Sequence, residues 1–269
     1  MHIARSFAIV IYAVVAATGI AARQPAGIAY YDVDRLYDTL PSHFYDDRAY
    51  TPQGSLRWDG DRYRRKVEGI AAVIDSMSLP VVALYGVENE QVVRDIAERC
   101  GEDYSYVHRT LSTRNGLDFA LLYWGDRLFI DKVESGFDYM AVDGSLDGRR
   151  IMLILSRYSS AAERIAAAAA AAGDRRVIVM GRTDNFETKA GLFRDATAEA
   201  EAAGMGNALF WRGWTMADRV VTDRSCDADA SVYARQWLLD RKGGPAATFR
   251  GRRYTGGRSG RLPIYIYIR

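Results

Sequence analysis

The chain has 269 residues, 49% hydrophobic and 26% charged, with 24 Gly and 6 Pro, a composition that excludes disordered, fibrous and collagen-like classes. A net charge of +2 argues against a general nucleic-acid coat protein. Two distant cysteines, Cys100 and Cys226, exclude a zinc finger, an iron–sulfur cluster and a disulfide-rich scaffold, and their spacing leaves open whether they pair.

Residues 1–22 read as an export signal. Arg5 gives a short positive start, Phe7 to Ala17 is apolar, and Gly19-Ile20-Ala21-Ala22 supplies small residues for cleavage. The apolar run is too short for a comfortable membrane span, so the expectation is an exported chain, periplasmic or secreted, with no transmembrane span in its mature part, residues 23–269. Charge is unevenly spread. Arg250, Arg252, Arg253, Arg258, Arg261 and Arg269 fill the tail without an acid, whereas Asp32, Asp34, Asp38, Asp46 and Asp47 cluster near the mature start.

Gly27 to Val33 reads as a first strand. Thr39 to Asp59 is a long loop of the kind that forms sites. Asp61 to Ser76 carries Val67, Ile70, Ala71 and Ile74 at helical spacing. Leu79 to Val87 is a continuous apolar run suited to a strand covered on both faces, and Asn89 to Arg99 is a second helix stopped by Gly101. Strands follow at Tyr104 to Arg109, Asp118 to Trp124 and Leu128 to Glu134. Tyr139 to Val142 and Ile151 to Tyr158 flank Asp147-Gly148, a hairpin signal. Ser159 or Ser160 caps an alanine helix running to Ala172, read as facing solvent. Arg176 to Gly181 is a buried strand, Leu192 to Ala203 a helix, Ala217 to Asp223 a strand and Leu262 to Arg269 a closing strand. These elements predict one α/β domain in which two sheets form a sandwich flanked by helices.

Several segments carry a family resemblance. Tyr31-Asp32-Val33-Asp34-Arg35-Leu36-Tyr37-Asp38-Thr39 resembles the opening segment of the endonuclease/exonuclease/phosphatase superfamily, the deoxyribonuclease I-like proteins. Further matches follow in order: Val87-Glu88-Asn89, Gly116 to Tyr123, Met180-Gly181, Asp218 in Ala217 to Val221, and Ser259 with Leu262-Pro263. The resemblance implies a four-layer sandwich of two central, mostly antiparallel sheets between helices. It also implies hydrolysis of phosphate esters with Mg²⁺ and paired histidines. Such chemistry requires oxygen ligands for a hard cation and a group that activates water.

At the positions where the resemblance implies those groups, this chain differs. The opening asparagine is Asp32, and the glutamate before Val87 is Gly86. The histidine ending the strand before the alanine helix is Arg157. The aspartate and asparagine after Gly181 are Arg182 and Asp184, and the closing aspartate and histidine are Gly260 and Arg261. Glu88, Asn89, Asp118 and Asp218 are retained. The mature chain holds only His43 and His108, neither at a motif position; each reads as a packed or solvated residue.

Arginine stays protonated, so it is a poor replacement for a histidine base, and guanidinium groups repel a metal. The expectation is a pseudoenzyme with no metal and no cofactor. Its work is then to bind an anionic, phosphate-bearing small molecule or a protein partner at the cell envelope, with nucleic acid as a weaker candidate. Arg157, Arg182 and Arg261 form either a self-neutralising salt-bridge network or a metal-free anion site, whose guanidinium forks suit phosphate. Asp218 and Arg261 are expected within about 4 Å of each other. The alternative is an active Mg²⁺-dependent phosphoesterase with metal ligands from Asp32, Glu88 and Asp184, aided by Asp118. Arg114, Asn115, Tyr45, Tyr50 and Trp58 are candidates for a substrate rim.

Overall fold

Continuous β-branched and leucine-rich runs build the centre of the protein. The structure is a computed structural model that describes residues 26–111, 113–157, 160–183, 186, 191–226 and 228–268. Residues 1–25, which include the expected export signal, and Ser159 and Asp184 lie outside the described residues.

The first sheet contains β1 (Ala26–Leu36), β2 (Val81–Val87), β3 (Ser105–Arg109), β4 (Asp118–Tyr123), β13 (Ala230–Val232) and β16 (Ile264–Ile268). Its order is β13-β16-β1-β2-β4-β3, with β1 and β2 parallel and the other neighbours antiparallel. The second sheet contains β5 (Leu128–Ser135), β6 (Tyr139–Leu146), β7 (Arg149–Arg157), β8 (Arg176–Arg182), β9 (Phe193–Asp195) and β12 (Arg219–Asp223). It runs β5-β6-β7-β8-β12-β9, with β7 and β8 its parallel pair. Two small hairpins complete the strands, β10 (Ala208–Phe210) with β11 (Gly213–Thr215) and β14 (Phe249–Arg250) with β15 (Arg253–Tyr254).

Every residue of β2 is buried, as its unbroken apolar sequence requires of a strand covered on both faces. Helix α1 (Gly60–Met77) packs on β1, and α2 (Glu90–Arg99) packs on α1 and β3. The helix starts are chemically marked. The Asp59 side chain accepts from Arg62 N–H and that of Asn89 from Val92 N–H, satisfying donors that a helix start leaves open. On the other sheet, α3 (Ser160–Ala171) buries Ala162, Ala166 and Ala169 against Ile154, Val177 and Val179. The alanine helix is therefore only half solvent-facing. Its small residues let the backbone approach the sheet.

The segment expected as a helix from Leu192 to Ala203 divides. Phe193–Asp195 pairs with β12, and only Ala198–Ala202 forms a helix, α4. Edge pairing and burial of Phe193 and Ala196 override helix propensity there. Cys100 and Cys226 are not joined by a disulfide. Among the described residues, no helix is long and apolar enough to cross a membrane.

The sheets meet where β1 packs against β8 and β12 against β16. Gly181 makes this approach possible. Its φ is +113°, and a Cβ there would stand 2.5 Å from the Ser156 carbonyl oxygen and 3.1 Å from Tyr30 Oη.

Candidate functional site

The site is assembled from the ends of β1, β2, β7, β8 and β12 and the approach to β16. Pairing sets Asp32 opposite Tyr85 on β1 and β2, and Arg157 opposite Arg182 on β7 and β8. The Arg157 guanidinium lies over the Tyr85 ring, 4.8 Å from its centroid. These contacts bring Asp32, Arg157 and Arg182 into one neighbourhood.

Beyond Asp32 the first strand bulges. Asp34 and Arg35 both take positive φ, 51° and 58°, and the Lys66 ammonium, buried on α1, donates to both their carbonyls at 2.5 and 3.3 Å. Burial pushes Lys66 down to about 8, against the raising effect of Asp34. The Asp34 N–H donates to Asp32 Oδ1 at 2.8 Å. The bulge thus fixes the Asp32 carboxylate from its own strand.

Gly86 sits against that carboxylate, at φ +91°, where a Cβ would be 3.3 Å from Asp32 Oδ1. The resemblance implies a second carboxylate at this position, and glycine leaves none. Gly260 stands against Asp34, with 3.5 Å from Asp34 Oδ2 to the place of a Cβ.

Arg261 carries the positive charge of this region. Its Nε is 4.0 Å from Oδ2 of Asp32 and 4.0 Å from Oδ2 of Asp218. The anticipated Asp218–Arg261 pair therefore lies at the limit of ion-pair distance and is shared with Asp32. The face of Phe210 flanks the guanidinium, 5.3 Å away. Asp218, 1% exposed, accepts from Asn207 Nδ2 at 2.6 Å. Ser259 Oγ donates to the Asp32 carbonyl at 2.6 Å and accepts from Arg261 N–H at 3.0 Å. Burial first, and then the neighbouring Asp218 carboxylate, push Asp32 up to about 7, although the Asp34 N–H and Arg261 pull the other way.

Arg157 differs from Arg261 in having no carboxylate within ion-pair distance among the described residues. Its Nε is buried without a hydrogen-bond partner, as are Tyr30 Oη and Thr183 Oγ1 in the same strand-end region. Buried donors of this kind are uncommon in native proteins. Arg157 also lines a cavity of about 410 Å³ with Thr113, Arg114, Asn115, Phe137 and Asp138.

Glu88, Asn89 and Asp118 form a different group. Glu88 accepts from Asp38 N–H at 2.5 Å and from Tyr45 Oη at 2.8 Å, while Asn89 Nδ2 donates to Asp38 at 2.9 Å. Asp118 accepts from Leu111 N–H at 2.9 Å and lies 2.9 Å from His108 Nε2. Burial pushes Glu88 up to about 7, against the Asp38 N–H. These residues line a separate cavity of about 540 Å³. Of the rim candidates, Trp58 is fully buried, its Nε1 donating to the Tyr37 carbonyl, whereas Arg114 and Asn115 border the Arg157 cavity.

Sequence reasoning missed Tyr30, Lys66, Thr183, Asn207, Phe137 and Asp138. A signal existed for Lys66, a rare lysine within the apolar spacing of α1. The others sit in strands or loops whose patterns do not reveal where a side chain points.

The profile of the Endonuclease/Exonuclease/phosphatase family matches residues 27–171, more than half of the chain. The protein belongs to that family. None of the curated proteins matches it. Solved structures resemble it in fold. TDP2 from Caenorhabditis elegans, 13% identical, has a TM-score of 0.62 over 91% of this chain and 74% of its own. A mannosyl-6-phosphatase of Bacteroides thetaiotaomicron, 14% identical, has a TM-score of 0.59 over 90% of this chain and 99% of its own. A third, from Bacteroides vulgatus and described as an endonuclease/exonuclease/phosphatase, is 11% identical with a TM-score of 0.59 over 92% and 100%. At these identities the likeness concerns the fold, two mixed six-stranded sheets with flanking helices.

The family's hydrolases are typically Mg²⁺-dependent. The residues present do not fit that ion well. Among the described residues no three His, Cys, Asp or Glu side chains gather closely enough to hold a metal. Glycine stands beside Asp32, and among the described residues the Asp32 and Asp218 carboxylates share a guanidinium. A divalent cation would meet that fixed positive charge at close range.

Proposed function

We propose that this protein is an exported, catalytically inactive member of the family that binds a phosphate-bearing anion without a metal. The observation that carries this reading is Arg157: a guanidinium without an ion-pair partner among the described residues, lining a cavity at the cluster of strand ends. An anion in the cavity gains charge-assisted hydrogen bonds from this guanidinium. Arg261 contributes less to such a ligand because Asp32 and Asp218 already face it. The loss of a water-activating histidine at Arg157 and Arg261 supports inactivity.

The test compares hydrolysis of plasmid DNA and of a generic phosphodiester by the purified protein with Mg²⁺, Mn²⁺ or Ca²⁺ and with chelator, beside binding of phenyl phosphate in chelator. The expected result is no turnover above an Asp184→Ala control, together with phosphate-ester binding that chelator leaves intact and Arg157→Met weakens. Chelator-sensitive turnover abolished by Asp184→Ala would overturn the inactive reading and mark the protein as a phosphoric ester hydrolase with a rebuilt acidic site.

A further inference from the structure

Three charged side chains line the Arg157 cavity without an ion-pair partner among the described residues: Arg114, Arg157 and Asp138. Elsewhere arginines of this chain are commonly paired, as Arg127 is with Asp147, Arg175 with Asp143 and Arg219 with Asp195 and Glu201. The arrangement is held by backbone. Arg157 N–H donates to the Asp138 carbonyl at 2.9 Å, tying the end of β7 to the turn before β6. Although their backbones are bonded, the Asp138 carboxylate and the Arg157 guanidinium make no ion pair. Each can serve a separate group of one ligand.

The rest of the lining adds detail. Phe137 is 65% exposed and offers an apolar wall beside the charges. Thr113 and Asn115 add polar contacts on the opposite loop. Two guanidiniums and one carboxylate leave this lining with a formal charge of +1, complementary to a phosphate monoester that also carries one ammonium. The volume of about 410 Å³ lies within the range of small-molecule pockets.

We infer that the cavity between Arg114, Arg157, Asp138 and Phe137 takes an organic phosphate that carries an ammonium group and an apolar body. The phosphate meets the two guanidiniums, the ammonium meets Asp138 and the body lies against Phe137. This assignment rests on the metal-free anion reading above and specifies which anion.

Four probes separate the parts, each titrated calorimetrically into the protein in chelator at pH 7.5: inorganic phosphate, phenyl phosphate, phosphoethanolamine and tyramine phosphate. Tyramine phosphate is expected to bind at least tenfold tighter than phenyl phosphate and more tightly than phosphoethanolamine. In Asp138→Asn the ammonium advantage disappears, so tyramine phosphate binds no better than phenyl phosphate; phenyl phosphate itself, relieved of a nearby carboxylate, binds equally or better. Circular dichroism of this near-isosteric variant verifies that it is folded. Equal affinities of tyramine and phenyl phosphate for the unsubstituted protein, or an advantage that survives Asp138→Asn, would overturn this inference and leave the anion reading standing. If no probe binds, both fall.

Discussion

Replacing Asp32 with asparagine perturbs a carboxylate that the fold holds against its own preference. Asp32 is 16% exposed at the side chain, and burial together with Asp218 pushes it up to about 7 from an ordinary 3.8. A group whose folded pKa exceeds its unfolded pKa binds protons better in the folded state. Stability therefore falls as pH rises from about 4 to 7 and levels off above. At about 1.4 kcal/mol per pKa unit, a shift of roughly three units sets a ceiling of about 4 kcal/mol for holding this carboxylate ionised. The amide keeps an oxygen for the Asp34 N–H and leaves Arg261 to Asp218, but its NH₂ faces the guanidinium, so only part of the ceiling is recovered. Asp32→Asn is expected to be about 1–3 kcal/mol more stable than the unsubstituted protein at pH 8, and this increment is expected to shrink by about 2–3 kcal/mol between pH 8 and pH 5. Urea unfolding at the two pH values measures the difference, and Glu88 and Lys66 cancel because both proteins contain them. A loss of stability at pH 8, or the same increment at pH 5 and pH 8, would refute the reasoning.

Lys66→Met removes the ammonium that satisfies the Asp34 and Arg35 carbonyls within the bulge; a loss of about 2–4 kcal/mol in urea unfolding is expected, and less than about 1 kcal/mol would show that the bulge holds itself. Gly181→Ala places a methyl 2.5 Å from the Ser156 carbonyl at φ +113°, so a loss of at least about 2 kcal/mol is expected. An unchanged unfolding midpoint would mean that β7 yields to the added methyl and that the positive φ is tolerated there. Arg261→Ala leaves Asp32 and Asp218 without their shared cation, and at pH 8 its lowered melting temperature is expected to recover with millimolar Mn²⁺ while the unsubstituted protein gains nothing. Equal Mn²⁺-dependent gains in both proteins would show that the guanidinium does not keep the metal out.

Much of the fold was legible because its central strands are unmistakable. Val81 to Val87 has no charged interruption, and Ile28 to Tyr31 and Val177 to Met180 carry similar runs. The segments resembling family motifs lie on or beside these strands, and the resemblance they carry implied the two-sheet sandwich. The short strands were not legible. Ala230–Val232, Ala208–Phe210 and Gly213–Thr215 are three residues each, too brief to establish a period, and they exist through pairing with distant partners. The separation of Glu88 and Asp118 from Asp32 was equally hidden. Glu88 lies only two residues beyond Gly86, but the register shift between Tyr85 and Val87 and the turn into α2 carry it to Tyr45 and Asp38, away from Arg261. The Arg157 cavity depends on where the 113–115 loop meets the turn before β6, and no local pattern encodes that meeting.

On the proposed metal-free reading, the same geometry explains how the fold accommodates its buried acids. Asp218 is held by Asn207 and is almost wholly buried; leaving its carboxylate without a nearby cation would be costly. Arg261 supplies positive charge from the chain itself, and Ser259 fixes the approach to β16 by bonding both the Asp32 carbonyl and the Arg261 N–H. A covalently attached guanidinium serves the two acids without a divalent ion, but its charge is already shared between them. Arg157 has no such obligation. Its stacking on Tyr85 positions the guanidinium without neutralising it, and Arg114, also without an ion-pair partner among the described residues, adds a second positive charge at the same cavity. Substituting Arg157 should therefore affect ligand affinity more than fold stability, whereas substituting Arg261 should do the reverse. The division follows from where the carboxylates stand, since both side chains carry the same charge.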